Sequence, residues 1–340
     1  MNLDKNNIFF SEYRLAIDNR LSEFLAEQTA RSHYSGGNGK YPHSLYDPLN
    51  YIMSGGGKRI RPLMLIFSSE LFGGSLNNSI DAAVAVEILH NFTLVHDDIM
   101  DNADSRRGMT TIHKKWSVNE AILVGDELIG LSYRSLLRTR NKRIQEIVKV
   151  FTDGVIEVCE GQALDKEYET KDNVTLDDYM IMIKKKTAEL LRTSAIIGSI
   201  IADASNDSVS IVNNYSLNLG IAFQIQDDLL DVTANEDEFG KKIGGDILER
   251  KKTYLYLKSQ ELLRVDEKAK MLTLFNSEID KVEKIKKIIS IYFESGAVDS
   301  AKEEVKRFTS EANRYLSRLE NSAAKQKLQR FSEMLLNRNS

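Results

Sequence analysis

The chain has 340 residues, 46 basic and 50 acidic side chains, and a formal net charge of −4. That balance excludes a general attraction to nucleic acid or to an anionic membrane, so phosphate chemistry has to come from local clusters. Hydrophobic residues make up 42%, enough for a substantial core. The single cysteine, Cys159, excludes an intrachain disulfide and a cysteine-based zinc site. It reads as a small buried apolar residue.

In chain order, the N-terminal MNLDKNNIFF lacks a basic segment followed by an apolar one, so no signal peptide is expected. Residues 35–40 (SGGNGK) read as a polar loop. All three prolines, Pro42, Pro48 and Pro62, lie near the start. Proline breaks helix interiors, so the proline-free tract after Pro62 permits long helices. Residues 73–79 (GGSLNNS) read as a loop, with Ser79 capping a helix that starts near Ile80. Over 82–100, Val86, Leu89, Phe92 and Val95 recur at helical steps, and Val212, Tyr215, Leu219, Ala222, Ile225 and Leu229 do so over 211–230. The apolar stretch 195–202 is too short to span a bilayer, and Glu189, Arg192 and Asp203 flank it. Residues 235–252 are charged and glycine-bearing and read as a mobile lid. From Asp266 onward, Lys and Glu at helical spacing read as a solvated face. Strand-like alternation is scarce. The expectation is an all-α fold of roughly a dozen helices, one domain over 1–340, soluble and cytoplasmic.

Two segments resemble each other: LVHDDIMD at 94–101 and QIQDDLLD at 224–231. Each places DDxxD after an apolar helical stretch. Positions i and i+4 share a helix face, so Asp97 projects with Asp101, and Asp227 with Asp231; Asp98 and Asp228 sit beside them. Such carboxylates repel one another unless a cation lies between them. One DDxxD is as easily the acidic end of a solvated helix. Two, each embedded in apolar sequence, point to Mg²⁺, which takes one or two carboxylates plus water and substrate phosphates. The D-x-D-x-D-G spacing of a calcium loop is absent.

The basic residues form separate groups. GGGKRIRP at 55–62 offers three glycines for close backbone approach, then Lys58, Arg59 and Arg61. It is not a Walker A loop, which needs GxxxxGK[ST]. Arg106 and Arg107 follow the first aspartate cluster, and arginine matches phosphate oxygens in a bidentate fork; a solvated basic turn is the alternative. Lys184 to Lys186 form a charge run, and Lys186-Thr187 opens an apolar stretch. Lys241, Lys251 and Lys252 follow the second cluster and are placed to close over a bound metal and diphosphate. No base-recognition feature is evident, so a diphosphate with a hydrocarbon tail fits better than a nucleotide.

In this order, GGKRIRP, EILHNFTLVHDDIMDNADSRRG, KT at 186–187, FQIQDDLLD and GKKIGGDILERKKT closely resemble the motifs of the head-to-tail isoprenyl diphosphate synthases, the polyprenyl synthetase family. The resemblance covers most of the chain. It implies a helical bundle around a deep cavity, a homodimer, and condensation of isopentenyl diphosphate with an allylic diphosphate (dimethylallyl, geranyl or farnesyl). It also implies Mg²⁺, three ions in all, ligated by Asp97, Asp101 and Asp227 with Asp98, Asp228 and Asp231 in support. Lys58, Arg61, His90 and Arg107 would bind the diphosphate of isopentenyl diphosphate. Arg106, Lys186 and Lys241, with Lys251, would hold the allylic diphosphate. Thr187 and Gln224 would lie near the developing allylic cation.

Phe92 lies five residues before Asp97, about 7.5 Å along a helix, where a ring could form the floor of a product cavity; ordinary core packing is the alternative. Thr93 beside it is small. NFTLVHDDIMD is most similar to geranylgeranyl diphosphate synthases, so a C20 product is expected, with C15 as runner-up. A terpene cyclase would replace the second DDxxD and lack GGKRIRP. A non-catalytic partner subunit would lose one or both clusters.

Overall fold

The computed structural model describes residues 10–34, 42–234 and 243–336. The 35–40 loop, Lys241 and the first part of the anticipated lid, 235–242, lie outside the described residues. In chain order the elements are α1 Ser11–Tyr34, α2 His43–Met53, α3 Ile60–Leu71, α4 Leu76–Met100, strands β1 Ser105–Arg106 and β2 Met109–Thr110, the short α5 Ile112–Lys115, α6 Val118–Leu136, α7 Ile144–Thr170 and α8 Leu176–Ile183. A π-helical turn Lys184–Ala188 leads into α9 Glu189–Ile201, followed by α10 Asn206–Thr233, the short α11 Gly245–Leu248, α12 Tyr254–Leu262, α13 Val265–Asn276, α14 Lys281–Glu294, α15 Ala297–Ser317 and α16 Ala323–Leu336. The fold is all-α, as the long proline-free tract after Pro62 anticipates. Among the described residues the only strands are β1 and β2, an antiparallel pair.

Two sequence expectations change. Ser79 does not cap α4: the helix begins at Leu76, and Ser75 accepts from the Asn78 N–H. Ser79 lies within the first turn, where its hydroxyl donates back to the Ser75 carbonyl at 2.9 Å. That back-bond satisfies the hydroxyl inside a helix and removes its reason to cap. Cys159 is exposed on α7 rather than buried.

The contacts group the chain into two compact units, Met1–Asp153 with Thr193–Val209, and Gly154–Arg192 with Ser210–Ser340. In the first, α4 packs against α3 and α6. Residues 62–69 of α3 and 82–89 of α4 are buried without interruption. Helices apolar on every side belong in a core, and Pro62 is tolerated because it falls in the first turn of α3. In the second unit, Tyr179, Ile225, Leu229, Tyr254, Phe275 and Tyr292 share one apolar cluster. The buried Tyr215 hydroxyl meets Ser332 Oγ at 2.6 Å and thereby ties α16 to α10. The outer faces of the last helices are solvated, as expected, with exposed pairs such as Arg307 with Glu304 and Arg314 with Glu311.

Within the second unit the π turn is held by close backbone approach. A Cβ at Gly161 of α7 would stand 2.3 Å from the Lys186 nitrogen, and one at Gly220 of α10 would stand 2.6 Å from the Ala188 Cα. No side chain fits at either place, so glycine sets the distance from α7 and α10 to the turn. We expect Gly161→Ala to lower stability by about 1–3 kcal/mol in urea unfolding. Gly130→Ala is the control: it faces open space on α6 and is expected to be neutral or stabilising by up to about 1 kcal/mol.

Candidate active site

Each aspartate cluster ends a long helix. Asp97 and Asp98 lie in the last turn of α4 and Asp101 is its C-cap, while Asp227, Asp228 and Asp231 lie in the last two turns of α10; neither helix has a basic residue in its last turn. The free carbonyls at a helix C-terminus already carry partial negative charge, so carboxylates there make the local potential more negative still and favour a cation.

The structure splits both clusters in the same way. Asp98 is 2% exposed and accepts from Arg106 Nε at 2.5 Å. Burial, the largest influence, raises its pKa against the pull of Arg106. Asp228 is 4% exposed. It accepts from the Tyr179 hydroxyl at 2.7 Å, Gln224 Nε2 at 3.0 Å and the Tyr254 amide at 3.0 Å. Burial, and then Asp246, raise the Asp228 pKa. Sequence spacing sets Asp98 and Asp228 beside the aspartates expected to ligate metal, whereas the fold turns both inward and engages them with protein donors. Asp97, Asp101, Asp227 and Asp231 keep some exposed surface. Asp231 also organises the chain that follows: its carboxylate accepts from the amides of Gly245 at 3.1 Å and Asp246 at 3.3 Å, at the start of α11.

Among the described residues no three acidic, histidine or cysteine groups converge as a finished metal site. An i,i+4 carboxylate pair of hard oxygens fits Mg²⁺ nevertheless, because that ion commonly completes its shell with water and substrate phosphate.

The basic residues divide by role. Lys58 is exposed and Arg61 partly so. Arg59 departs from the phosphate-binding expectation. It caps α3 in the left-handed region at φ 52°, is 5% exposed, and donates to Asp18 at 2.7 Å and to the buried Glu87 at 2.6 Å. Breaking such a buried pair typically costs about 3–5 kcal/mol, which marks Arg59 as an internal brace. Arg107 and Gly108 form the two-residue turn between β1 and β2, both with positive φ, the geometry of a type I′ hairpin. From there Arg107 donates to the Gly56 carbonyl. Gly57 lies between the Arg107 and Arg59 guanidinium groups, where a Cβ would meet them at 3.0 and 3.2 Å. The glycine loop, α4 and the hairpin bound a small crevice lined by Ile52, Gly55, Asn91, Leu94, Arg106, Arg107 and Met109.

His90 lies behind Arg61, whose Nη1 donates to His90 Nε2 at 3.2 Å. A guanidinium can only donate, so Nε2 accepts and the imidazole proton sits on Nδ1. Phe92 is buried and meets His96 edge-on at 4.7 Å. Thr93 donates to the His90 carbonyl at 2.8 Å.

In the second unit the π turn distributes its side chains. Lys185 pairs with Glu157 and Glu160, Lys186 with Asp165 at 2.5 Å, and the Thr187 hydroxyl donates to Gln224 Oε1 at 2.7 Å. π turns recur at functional sites. Lys251 pairs with Glu249 at 2.6 Å. Lys252 donates to the Tyr168 and Lys171 carbonyls at the end of α7, so it caps a helix rather than reaching a ligand. Tyr179 and Asp165 went unnoticed in the sequence: a phenol in a core helix and an acid in a mixed helix carry no local signal.

His90 keeps a little exposed surface, yet burial of its ring, then Arg61, Arg107, Arg106 and Arg59, hold its pKa well below the ordinary histidine value. The unfolded chain therefore takes up the proton first. Stability is full above about pH 6.5 and falls as pH drops below it. A His90→Gln chain is expected to lose less stability between pH 7 and pH 5.5 in chemical denaturation.

The family model for polyprenyl synthetase matches residues 42–292. The geranylgeranyl diphosphate synthase of Sulfolobus acidocaldarius is 41% identical over 280 residues, covering 81% of this chain and 82% of that one. The geranylfarnesyl diphosphate synthase of Natronomonas pharaonis is 32% identical over 315 residues, 87% of this chain and 91% of that one. The crystal structure of geranylgeranyl pyrophosphate synthetase from Pyrococcus horikoshii superposes with a TM-score of 0.90 at 34% identity, covering 99% of this chain and 100% of that one. With both aspartate clusters, the glycine–arginine loop and the Lys-Thr turn inside the matched span, the chain belongs to the polyprenyl synthetase family.

Proposed function

We propose that this chain is a geranylgeranyl diphosphate synthase, a prenyltransferase that condenses isopentenyl diphosphate with dimethylallyl, geranyl and farnesyl diphosphates and releases diphosphate. One repeated arrangement carries the reading: a long helix ends in an outward i,i+4 aspartate pair, the aspartate between them is buried, and no basic residue is in the last turn. A non-catalytic partner subunit would have no use for two intact copies of it. The continuous family match over 42–292 supports one synthase domain.

In this reading Asp97, Asp101, Asp227 and Asp231 bind three Mg²⁺ ions, and Asp98 and Asp228 hold the two helix ends in place. Mg²⁺ supplies Lewis acidity to the departing diphosphate. Lys58, Arg61 and Arg107 bind the diphosphate of isopentenyl diphosphate, and neutral His90 orients Arg61. Arg106, Lys186, Lys241 and Lys251 take up the charge of the allylic diphosphate as its C–O bond breaks. The double bond of isopentenyl diphosphate forms the new C–C bond at the allylic carbon. The proton then lost passes to the released diphosphate. Thr187 and Gln224 stand near the electron-poor carbon, and apolar walls keep water from trapping it. The helix face bearing Val118, Ile122 and Leu123, each more than two-fifths exposed, supports a homodimer. Among the described residues no helix is long and apolar enough to cross a membrane, which accords with a cytoplasmic enzyme.

Purified protein with Mg²⁺, isopentenyl diphosphate and each allylic primer is expected to give a C20 product. Elongation of no primer would sink the reading. Phe92→Ala is expected to lengthen the main product; an unchanged product by mass spectrometry removes Phe92 as the floor. Mg²⁺ with inorganic pyrophosphate is expected to raise the melting temperature, reflecting about 2.7 kcal/mol at a hundredfold excess over Kd, and Asp97→Asn is expected to remove most of that rise.

A further inference from the structure

Three donors converge on the buried Asp228. The Tyr179 hydroxyl and the Tyr254 amide both reach Oδ2, at 2.7 and 3.0 Å, and Gln224 Nε2 reaches Oδ1 at 3.0 Å. A carboxylate only accepts, so the nitrogen of Gln224 has to face it. The Gln224 oxygen is thereby turned the other way and accepts the Thr187 hydroxyl proton at 2.7 Å. A hydroxyl has one proton. Once it is committed to Gln224, the remaining lone pairs of Thr187 Oγ1 are what a ligand meets. Reversal would place a Gln224 oxygen against an Asp228 oxygen, two acceptors facing each other in a buried setting.

We propose that Tyr179 is a positioning residue that fixes the direction of the Thr187 hydroxyl through Asp228 and Gln224. Tyr179 is 2% exposed, so it acts through these neighbours and not on substrate. With the Tyr254 amide it saturates Oδ2 and leaves Oδ1 to orient the Gln224 amide. The proposal rests on the prenyl-transfer reading, in which an outward lone pair favours an allylic carbon that loses its diphosphate and an outward proton would oppose it. The effect is electrostatic and appears as the C–O bond breaks, so it belongs in kcat rather than in substrate binding.

Tyr179→Phe keeps the ring, which meets Tyr254 edge-on at 6.2 Å, and removes only the donor. We expect kcat to fall about tenfold, as for loss of a hydrogen bond to a charged group, with KM for isopentenyl diphosphate unchanged. In a Thr187→Val background the same substitution is expected to change kcat by less than about twofold, because the hydroxyl it orients is gone. Gln224→Leu cuts the relay at its centre and should likewise make Tyr179→Phe silent. Equal losses in all backgrounds, an unchanged kcat, or a change confined to KM would overturn the proposal. So would a Tyr179→Phe chain that fails to fold by circular dichroism, since the phenol would then serve the fold. An unaltered protein that elongates no primer overturns the prenyl-transfer reading itself; an active one with additive variants overturns only the role of Tyr179.

Discussion

The burial of one aspartate in each cluster is the constraint on which that cluster depends. A carboxylate taken out of water needs donors, and each helix end is held by the donors its aspartate recruits. Asp98 recruits a cation, Arg106, from the strand that follows α4. Asp228 recruits three neutral donors from α8, from α10 itself and from the start of α12. In both places burial raises the carboxyl pKa, a sign that the environment resists the charge and that the bonds offset only part of the resistance. Once the inner aspartate is fixed, helical geometry leaves its neighbours one choice. Residues one before and three after it lie together on the outward face. The inner carboxylate thus aims the outer pair without contacting what that pair binds.

The arginines show the same division between bracing and binding. Four arginines, Arg59, Arg61, Arg106 and Arg107, lie close in sequence to two glycine turns, yet their surroundings differ. Arg59 is closed in by Asp18 and Glu87, and its left-handed backbone starts α3 at the end of the glycine loop. Arg107 sits in a left-handed turn where asparagine or glycine is the usual choice. A long cationic side chain in that conformation is held by the carbonyl of Gly56, across a gap that only glycine at 57 leaves open. Backbone strain of this kind persists where the surroundings over-determine it, and such places cluster at ligand sites. The brace therefore sets the position of the arginine beside it.

Much of this was legible in the sequence. The helices were readable because apolar residues recur at helical steps and proline is absent after Pro62, and the DDxxD and GGGKRIRP spacings named the clusters. What was hidden depends on which way a side chain turns. Sequence spacing set Asp98 beside Asp97, but a 100° step on a helix separates a buried carboxylate from an exposed one, and only the packing of α4 decides between them. Arg59 and Arg61 look alike in a string; a partner 28 residues away, Glu87, separates them. Ser79 was misread because Asn77 and Asn78 are weak helix formers that packing overrides. Cys159 was misread because its residue type is usually buried, while its place on α7 faces outward.

The departures from local preference are not scattered. Acidic residues crowd the C-terminal ends of α4 and α10, where the helix disfavours them. Arginines occupy left-handed turns. A π turn interrupts an otherwise regular run of helix from Leu176 to Ile201, and glycines in α7 and α10 surrender helix propensity to let it approach. Each departure costs stability and falls on a segment that carries a family motif or packs directly against one. A chain selected for stability alone would have removed them one at a time, since each has a common replacement: asparagine for an outer aspartate or for Arg107, alanine for Gly161 with a regular helix opposite. That they persist together accords with the proposed prenyl transfer, in which metal and diphosphate would meet these charges and binding would return part of the stability they cost.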